Sequence, residues 1–192
     1  MKRRLALILA LVMALSIFCG CGGGKTWTGK HEVEIVVEEY GAFTLEIDAD
    51  AAPETASNFL NLVKKGFYDG LTVYRAISGF AIYAGDPNKN GTGTSGNYIY
   101  GEFISNGFNN TLSNVRGAVG MARGTLRDSA SCQFYVLQND ATYLDGDFAI
   151  FGKVVAGMAI VDNIGYGVQV ISSDGYIAES NQPVIKSAKV IY

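Results

Sequence analysis

Apolar and charged residues alternate along residues 31–39, "HEVEIVVEE", placing Val33, Ile35 and Val37 on one face and Glu32 and Glu34 on the other. A period of two is the mark of a half-buried strand. Tyr40 and Gly41 interrupt it, and "AFTLEID" resumes it, so residues 32–48 predict a β-hairpin. The period then changes. Ala56, Phe59, Leu60 and Val63 fall at i, i+3, i+4 and i+7, the apolar stripe of a helix. Pro53 suits its first position, Lys64 and Lys65 complement its negative end, and Gly66 is free to take the left-handed cap.

Beyond that helix the apolar runs are short: "LTVYRAI", "FAIYAG", "AVGMA", "CQFYVL", "FAIFGKVV" and "PVIKSAKVIY". They are rich in β-branched and aromatic residues and are separated by Gly, Asn, Asp and Ser, as strands between turns are. "MAIVDNIG" predicts a short second helix. Many short strands with two helices indicate an antiparallel barrel or sandwich, and a barrel would leave no sheet edge exposed.

The N-terminus follows another pattern. Lys2, Arg3 and Arg4 precede "LALILALVMALSIF", the charged-then-apolar layout of a secretory signal, which is too short for a membrane span. "CGCGGG" follows and resembles a bacterial lipoprotein signal, which implies cleavage after residue 20 and lipidation of Cys21; Phe18 and Cys19 fit that pattern imperfectly. An ordinary cleaved signal and an uncleaved anchor are the other readings. Residues 1–20 are thus expected to be a signal peptide, 21–31 ("CGGGKTWTGKH") a lipid anchor and flexible linker, and 32–192 the folded domain. The expected location is the outer face of the bacterial cytoplasmic membrane, with the lipid as its membrane contact.

Charge and cysteines narrow the class further. Of 15 basic and 18 acidic residues, three basic ones lie in residues 1–20, so the mature chain has 12 against 18, about −6. An acidic domain gains nothing from polyanions, which excludes nucleic acid as a partner. With Cys19 removed and Cys21 acylated, Cys132 is left alone; no internal disulfide is expected, and a buried packing thiol is. The roughly 170 remaining residues make one domain with a proper core.

Catalytic motifs are sparse. His31 is the only histidine, and there is no HExxH or CxxC, so neither a metal nor a cofactor is implied. "NGTGTSGN", residues 90–97, lacks the GK[ST] ending of a phosphate loop and reads as an ordered loop. Asp145 and Asp147 imitate a glycosidase pair, but "LDGD" more simply makes a turn. Arg75, in "YRAISGFAIYAGDP", stands among small and apolar residues.

The order of "APETASNFLNLVKKGFYDGLTVYRAISGFAIYAGDP", "GTGTSG", "GAVGMAR", "SCQFYV" and "YLDGDFAIFGKVVAGMAIVD" resembles the cyclophilin family of peptidyl-prolyl cis-trans isomerases over residues 32–192. The resemblance implies a mainly β fold, a closed eight-stranded antiparallel barrel capped by two α-helices, with a peptide groove outside it. It implies Arg75 as the catalytic residue and Phe80 and Leu144 as walls of a proline pocket. Gln133 would stand beside the groove, and Ala122 and Arg123 would lend backbone groups to an extended peptide. Six positions depart from the most active members: Tyr74 and Phe148 replace histidines, Ala81 a methionine, Tyr83 a glutamine, Tyr135 a phenylalanine and Tyr143 a tryptophan. The resulting expectation is a monomeric isomerase of X-Pro bonds in exported proteins, weak or altered in specificity. The alternative is a non-catalytic proline-peptide or protein-binding module on the same fold. A two-residue hairpin at Ser78-Gly79 would put Arg75 on the face of Ile82, so the site requires a bulge or longer turn there.

Overall fold

The structure, a computed structural model, describes residues 24–192. Eight strands and two α-helices follow in the order β1 (Lys30–Val37), β2 (Gly41–Asp48), α1 (Pro53–Lys64), β3 (Val73–Ile77), β4 (Ala81–Ala84), β5 (Ala118–Met121), β6 (Phe134–Leu137), β7 (Ile150–Ala156), α2 (Met158–Gly167) and β8 (Ile185–Val190). Every expected strand run and both helices contain one of these elements. The strands form a single sheet in the order β3-β4-β6-β5-β7-β2-β1-β8, with antiparallel pairing throughout.

The sheet curls, and a few bonds run between residues 70–73 at one end and 183–185 at the other. Thr72 bridges Val184, Gly70 N–H donates to Ile185 O at 2.8 Å, and Val73 N–H donates to Pro183 O at 2.9 Å. Inside the curl lie the apolar faces that alternation predicts. Val33, Ile35 and Val37 of β1 and Phe43, Leu45 and Ile47 of β2 are all buried. Phe59 of α1 meets Tyr68, Phe134 and Phe151 at ring distances of 5.2, 5.4 and 5.1 Å. Each such side chain contributes about 1.5–3 kcal/mol on burial, and a one-residue slip would expose a whole row.

Helix α1 is satisfied at both ends. At its C-terminus Phe67 N–H reaches Leu62 O and Gly66 N–H reaches Val63 O, with Gly66 at φ 68°, a Schellman motif built on the expected glycine. At its N-terminus the buried carboxylate of Glu102 accepts from Glu54 N–H at 2.9 Å and Thr55 N–H at 2.8 Å. An anion facing two free N–H groups at the positive end of a helix is favourable on both counts.

Two expectations need correction. Residues 25–31 are not spacer: Trp27 is buried, its indole N–H donates to Asn61 Oδ1 at 3.0 Å, and Lys25 and Lys64 stand over its ring at 4.0 and 4.9 Å. Glycines and polar neighbours hid a side chain that seals α1, and β1 begins at Lys30. Cys132 lies just outside β6 rather than in it, buried, and burial pushes its thiol up to about 11. No helix among the described residues is long and apolar enough to cross a membrane. The expected signal peptide and Cys21 lie outside the described residues.

Candidate active site

The connection between β3 and β4 decides where Arg75 points. Phe80 N–H donates to Ile77 O at 2.9 Å, and Gly79 sits at φ 74°, so the loop has three residues, Ser78 to Phe80. Ile77 then pairs with Ala81, Ala76 with Ile82, and Arg75 with Tyr83. The longer turn that the site requires is present. Tyr83 in turn pairs with Tyr135 of β6, and Tyr135 with Gly120 of β5. Arg75, Tyr83, Tyr135 and Gly120 thus form one row across four strands. Gly120 is obligatory there, because a Cβ would overlap the Tyr135 ring.

Arg75, Tyr83 and Tyr135 of this row line a groove of about 460 Å³ on the outside of the curled sheet. Of the expected site residues, Arg75, Phe80, Tyr83, Ala122, Arg123, Gln133, Tyr135, Leu144 and Phe148 line it together. Ala81 does not; it is wholly buried in the layer below, packed with Tyr135 and Leu137. Tyr143 does not either, since it stands 74% exposed outside the lining. His31 is remote from the lining and bonds Thr28 O, while Asp145 accepts from Ser113 and Asn114, as a turn anchor does.

The substituted positions are absorbed locally. The Tyr135 hydroxyl donates to buried Asn114 Oδ1 at 2.8 Å, and Asn114 donates on to Asp145, so the extra oxygen has a partner below the groove. Tyr74, at a register shift between Val73 and Arg75, donates its hydroxyl to Gln133 Oε1 at 2.6 Å. Gln133 Nε2 donates to Gly93 O at 2.8 Å. Both ends of the glutamine amide are therefore engaged in fixing the groove wall. Ala122 N–H is also taken, by Gln133 O at 2.9 Å, which leaves Arg123 as the residue of the pair whose N–H has no partner among the described residues.

Electrostatically the groove opposes its surroundings. No carboxylate lines it, and neither Arg75 nor Arg123 has an ion pair among the described residues. Arg75 Nε donates to Asp174 O at 2.6 Å, with its guanidinium 4.7 Å from the Tyr83 ring and 5.5 Å from the Tyr176 ring. Arg123 donates to Asp147 O and Gly124 O and lies 4.9 Å from the Phe148 ring. Burial raises the Tyr83 phenol above its ordinary value, with Arg75 pulling it back, and burial drives Tyr74 and Tyr135 far higher. All three stay neutral near neutral pH. A permanent cation beside aromatic and aliphatic walls suits non-covalent chemistry on a neutral, partly apolar substrate.

Three contributors escaped the sequence reading. Tyr176 enters from the segment between α2 and β8 and forms a bridge with Arg75. Asp86, fully buried, gathers the loop of residues 88–93: Oδ1 accepts from Asn88 and Gly93 N–H at 2.9 and 2.8 Å, and Oδ2 accepts from Asn90 N–H at 2.8 Å and from Gly91 N–H. Ser131 holds the far wall through Ser95 N–H at 3.0 Å. The one available signal was "GDPNKNG", an Asp ahead of a turn-rich run, which commonly bonds nearby backbone.

Residues 32–190 match the family model described as cyclophilin type peptidyl-prolyl cis-trans isomerase/CLD. Peptidyl-prolyl cis-trans isomerase A of Dickeya dadantii is 32% identical, covering 100% of this chain and 99% of that protein. A probable peptidyl-prolyl cis-trans isomerase of Brucella abortus is 35% identical, over 85% of this chain and 86% of its own. Among solved structures, a cyclophilin type peptidyl-prolyl cis-trans isomerase of Cryptosporidium parvum, in the presence of the dipeptide Ala-Pro, superposes with a TM-score of 0.73. It is 25% identical, and the match covers 84% of this chain and 99% of that one.

Proposed function

The chain belongs to the cyclophilin-type peptidyl-prolyl cis-trans isomerase family, and from that premise we propose how its own groove carries the reaction. Rotation about an X-Pro bond loses amide resonance, at a barrier of about 18–20 kcal/mol. A catalyst gains by binding the twisted amide more tightly than the planar one. As the amide twists, the proline nitrogen becomes pyramidal and offers a lone pair. The Arg75 guanidinium donates to that lone pair and so favours the twisted state. Phe80, Leu144, Phe148 and Tyr135 hold the proline ring, and the Arg123 main chain pairs with the flanking peptide. The observation that carries this reading is Arg75 itself: a cation in an aromatic groove, with no carboxylate among the described residues to neutralise it.

The substrates in this reading are proline-containing segments of exported proteins, as for a protein that is secreted and lipidated at Cys21. The charged-then-apolar N-terminus and the CGCGGG sequence support that placement. The Ala-Pro dipeptide present with the Cryptosporidium protein supports the ligand class. We further read the curled sheet as working as a closed barrel, which the bonds between residues 70–73 and 183–185 support. Ala81 adds no surface to the pocket, and Tyr83 brings a ring where the resemblance places a glutamine, so activity is expected to be lower or differently selective than in the strongest members.

A cis-trans assay on an Ala-Pro peptide tests this, using the full chain in mild detergent. Arg75→Ala is expected to lower kcat/KM by ~10²–10³, the usual effect of removing one well-placed donor. Equal rates for wild type and variant would refute the assignment. Release of the protein from membranes by Cys21→Ser tests the anchor, and unchanged partitioning would count against it.

A further inference from the structure

Among the described residues no anion fixes the direction of Arg75, and we infer that the segment Asp174–Ile177, with Tyr176 as a positioning residue, takes that part in the isomerase reaction. The inference rests on the assignment of Arg75 made above and extends it to a segment that nothing in the local sequence tied to the site.

The segment is pinned to β3 by its main chain. Ala76 N–H donates to Gly175 O at 2.8 Å, and Ile177 N–H donates to Tyr74 O at 3.0 Å, one on each side of the Arg75–Tyr176 bridge. Gly175 has φ 83°, and a Cβ there would overlap Ala76 O, so only glycine allows the approach. The segment is also braced from behind. Ile171 N–H donates to Tyr176 O at 2.8 Å, Tyr176 N–H donates to Ser172 Oγ at 3.1 Å, and Ile177 is buried.

What this achieves is selective. Asp174 O takes the Nε–H of Arg75, while the rings of Tyr83 and Tyr176 take its position. The terminal Nη donors have no hydrogen bond among the described residues. A carboxylate in place of the rings would have engaged those donors and cancelled the charge. Aromatic faces attract the cation without using its N–H groups, so the end that must meet the substrate stays free. The Tyr176 hydroxyl has no hydrogen-bond partner among the described residues, so it is the ring that matters.

The test is a kcat and KM comparison on an Ala-Pro peptide with the full chain in mild detergent. Tyr176→Leu is expected to lower kcat about tenfold, with KM within about twofold of wild type. Its thermal midpoint should stay within about 2 °C of wild type. Tyr176→Phe should restore wild-type kcat, and Gly175→Ala, which lifts the carbonyl away, should lower kcat at least as far. In the Arg75→Ala background, Tyr176→Leu should change nothing further. An unchanged kcat in Tyr176→Leu, a loss confined to KM, or fully multiplicative losses in the double variant would each overturn the inference while leaving Arg75 catalytic. Full activity in Arg75→Ala would instead remove the assignment beneath it.

Discussion

The loop after β4 and the loop before β8 both reach the groove, one gathered on a single buried carboxylate and the other zipped to β3 through its main chain. Asp86 accepts from four backbone N–H groups within residues 88–93, which lets a glycine-rich stretch become a defined wall. The Asp174–Ile177 segment shares its support among several carbonyls and N–H groups, with only Gly175 irreplaceable. Concentrated support makes a loop precise but exposes it to one substitution. Distributed support tolerates almost any side-chain change.

That contrast predicts unequal responses. Asp86→Ala leaves four N–H groups of the loop without their acceptor, that of buried Gly93 among them, and should destabilise the protein by about 3–5 kcal/mol. Chemical denaturation measures this, and a loss below about 1 kcal/mol would show that the loop does not depend on the carboxylate. Alkali probes the tyrosines between the two loops. The folded-state values of Tyr74, Tyr83 and Tyr135 are raised, chiefly by burial. Their contribution is therefore fully present below the unfolded value of about 10 and is lost as pH rises through the folded values. Stability should hold through neutral pH and fall above about pH 10, with isomerase rates flat between about pH 6 and 9. Titration of the rate near pH 7 would point to a group outside the groove.

Gln133→Ala cuts the tie between Tyr74 and Gly93 and should cost about 1–3 kcal/mol, with a raised KM. Ser172→Ala removes one of many supports from the second loop and should cost no more than about 1 kcal/mol, with kcat preserved. If Ser172→Ala proved as damaging as Asp86→Ala, the two loops would not differ in the way described.

The same contrast explains what could be read beforehand. Strands, helix α1 and its glycine cap were legible because alternation, a 3.6 period and Gly66 are local signals. That Arg75, Phe80 and Leu144 share one groove was legible through the order of neighbouring motifs. Glu102 was not, because the helix it caps lies 47 and 48 residues earlier, and an isolated glutamate carries no sign of that partner. Trp27 was hidden in a run with the composition of a linker. Tyr176 follows an ordinary Asp-Gly turn, and only the topology brings it to Arg75. Ala81 shows the opposite failure: its place in a motif suggested contact with the ligand, whereas burial assigns it to packing.

The bonds between the two ends of the sheet bear on how the chain reaches this state. β8 pairs with β1 along its length, while its first residue and those just before it meet residues 70–73. The last of the eight strands in chain order, with the residues just before it, therefore joins the first strand to the third. Pairings so distant in sequence form slowly, because a long loop must close before any contact rewards it. Until β8 arrives, β1 presents a bare edge, and β3 is covered only where Asp174–Ile177 pairs with it, so a strand from another chain can add at either place. During its own maturation the molecule is most vulnerable to self-association in the interval before its final strand docks.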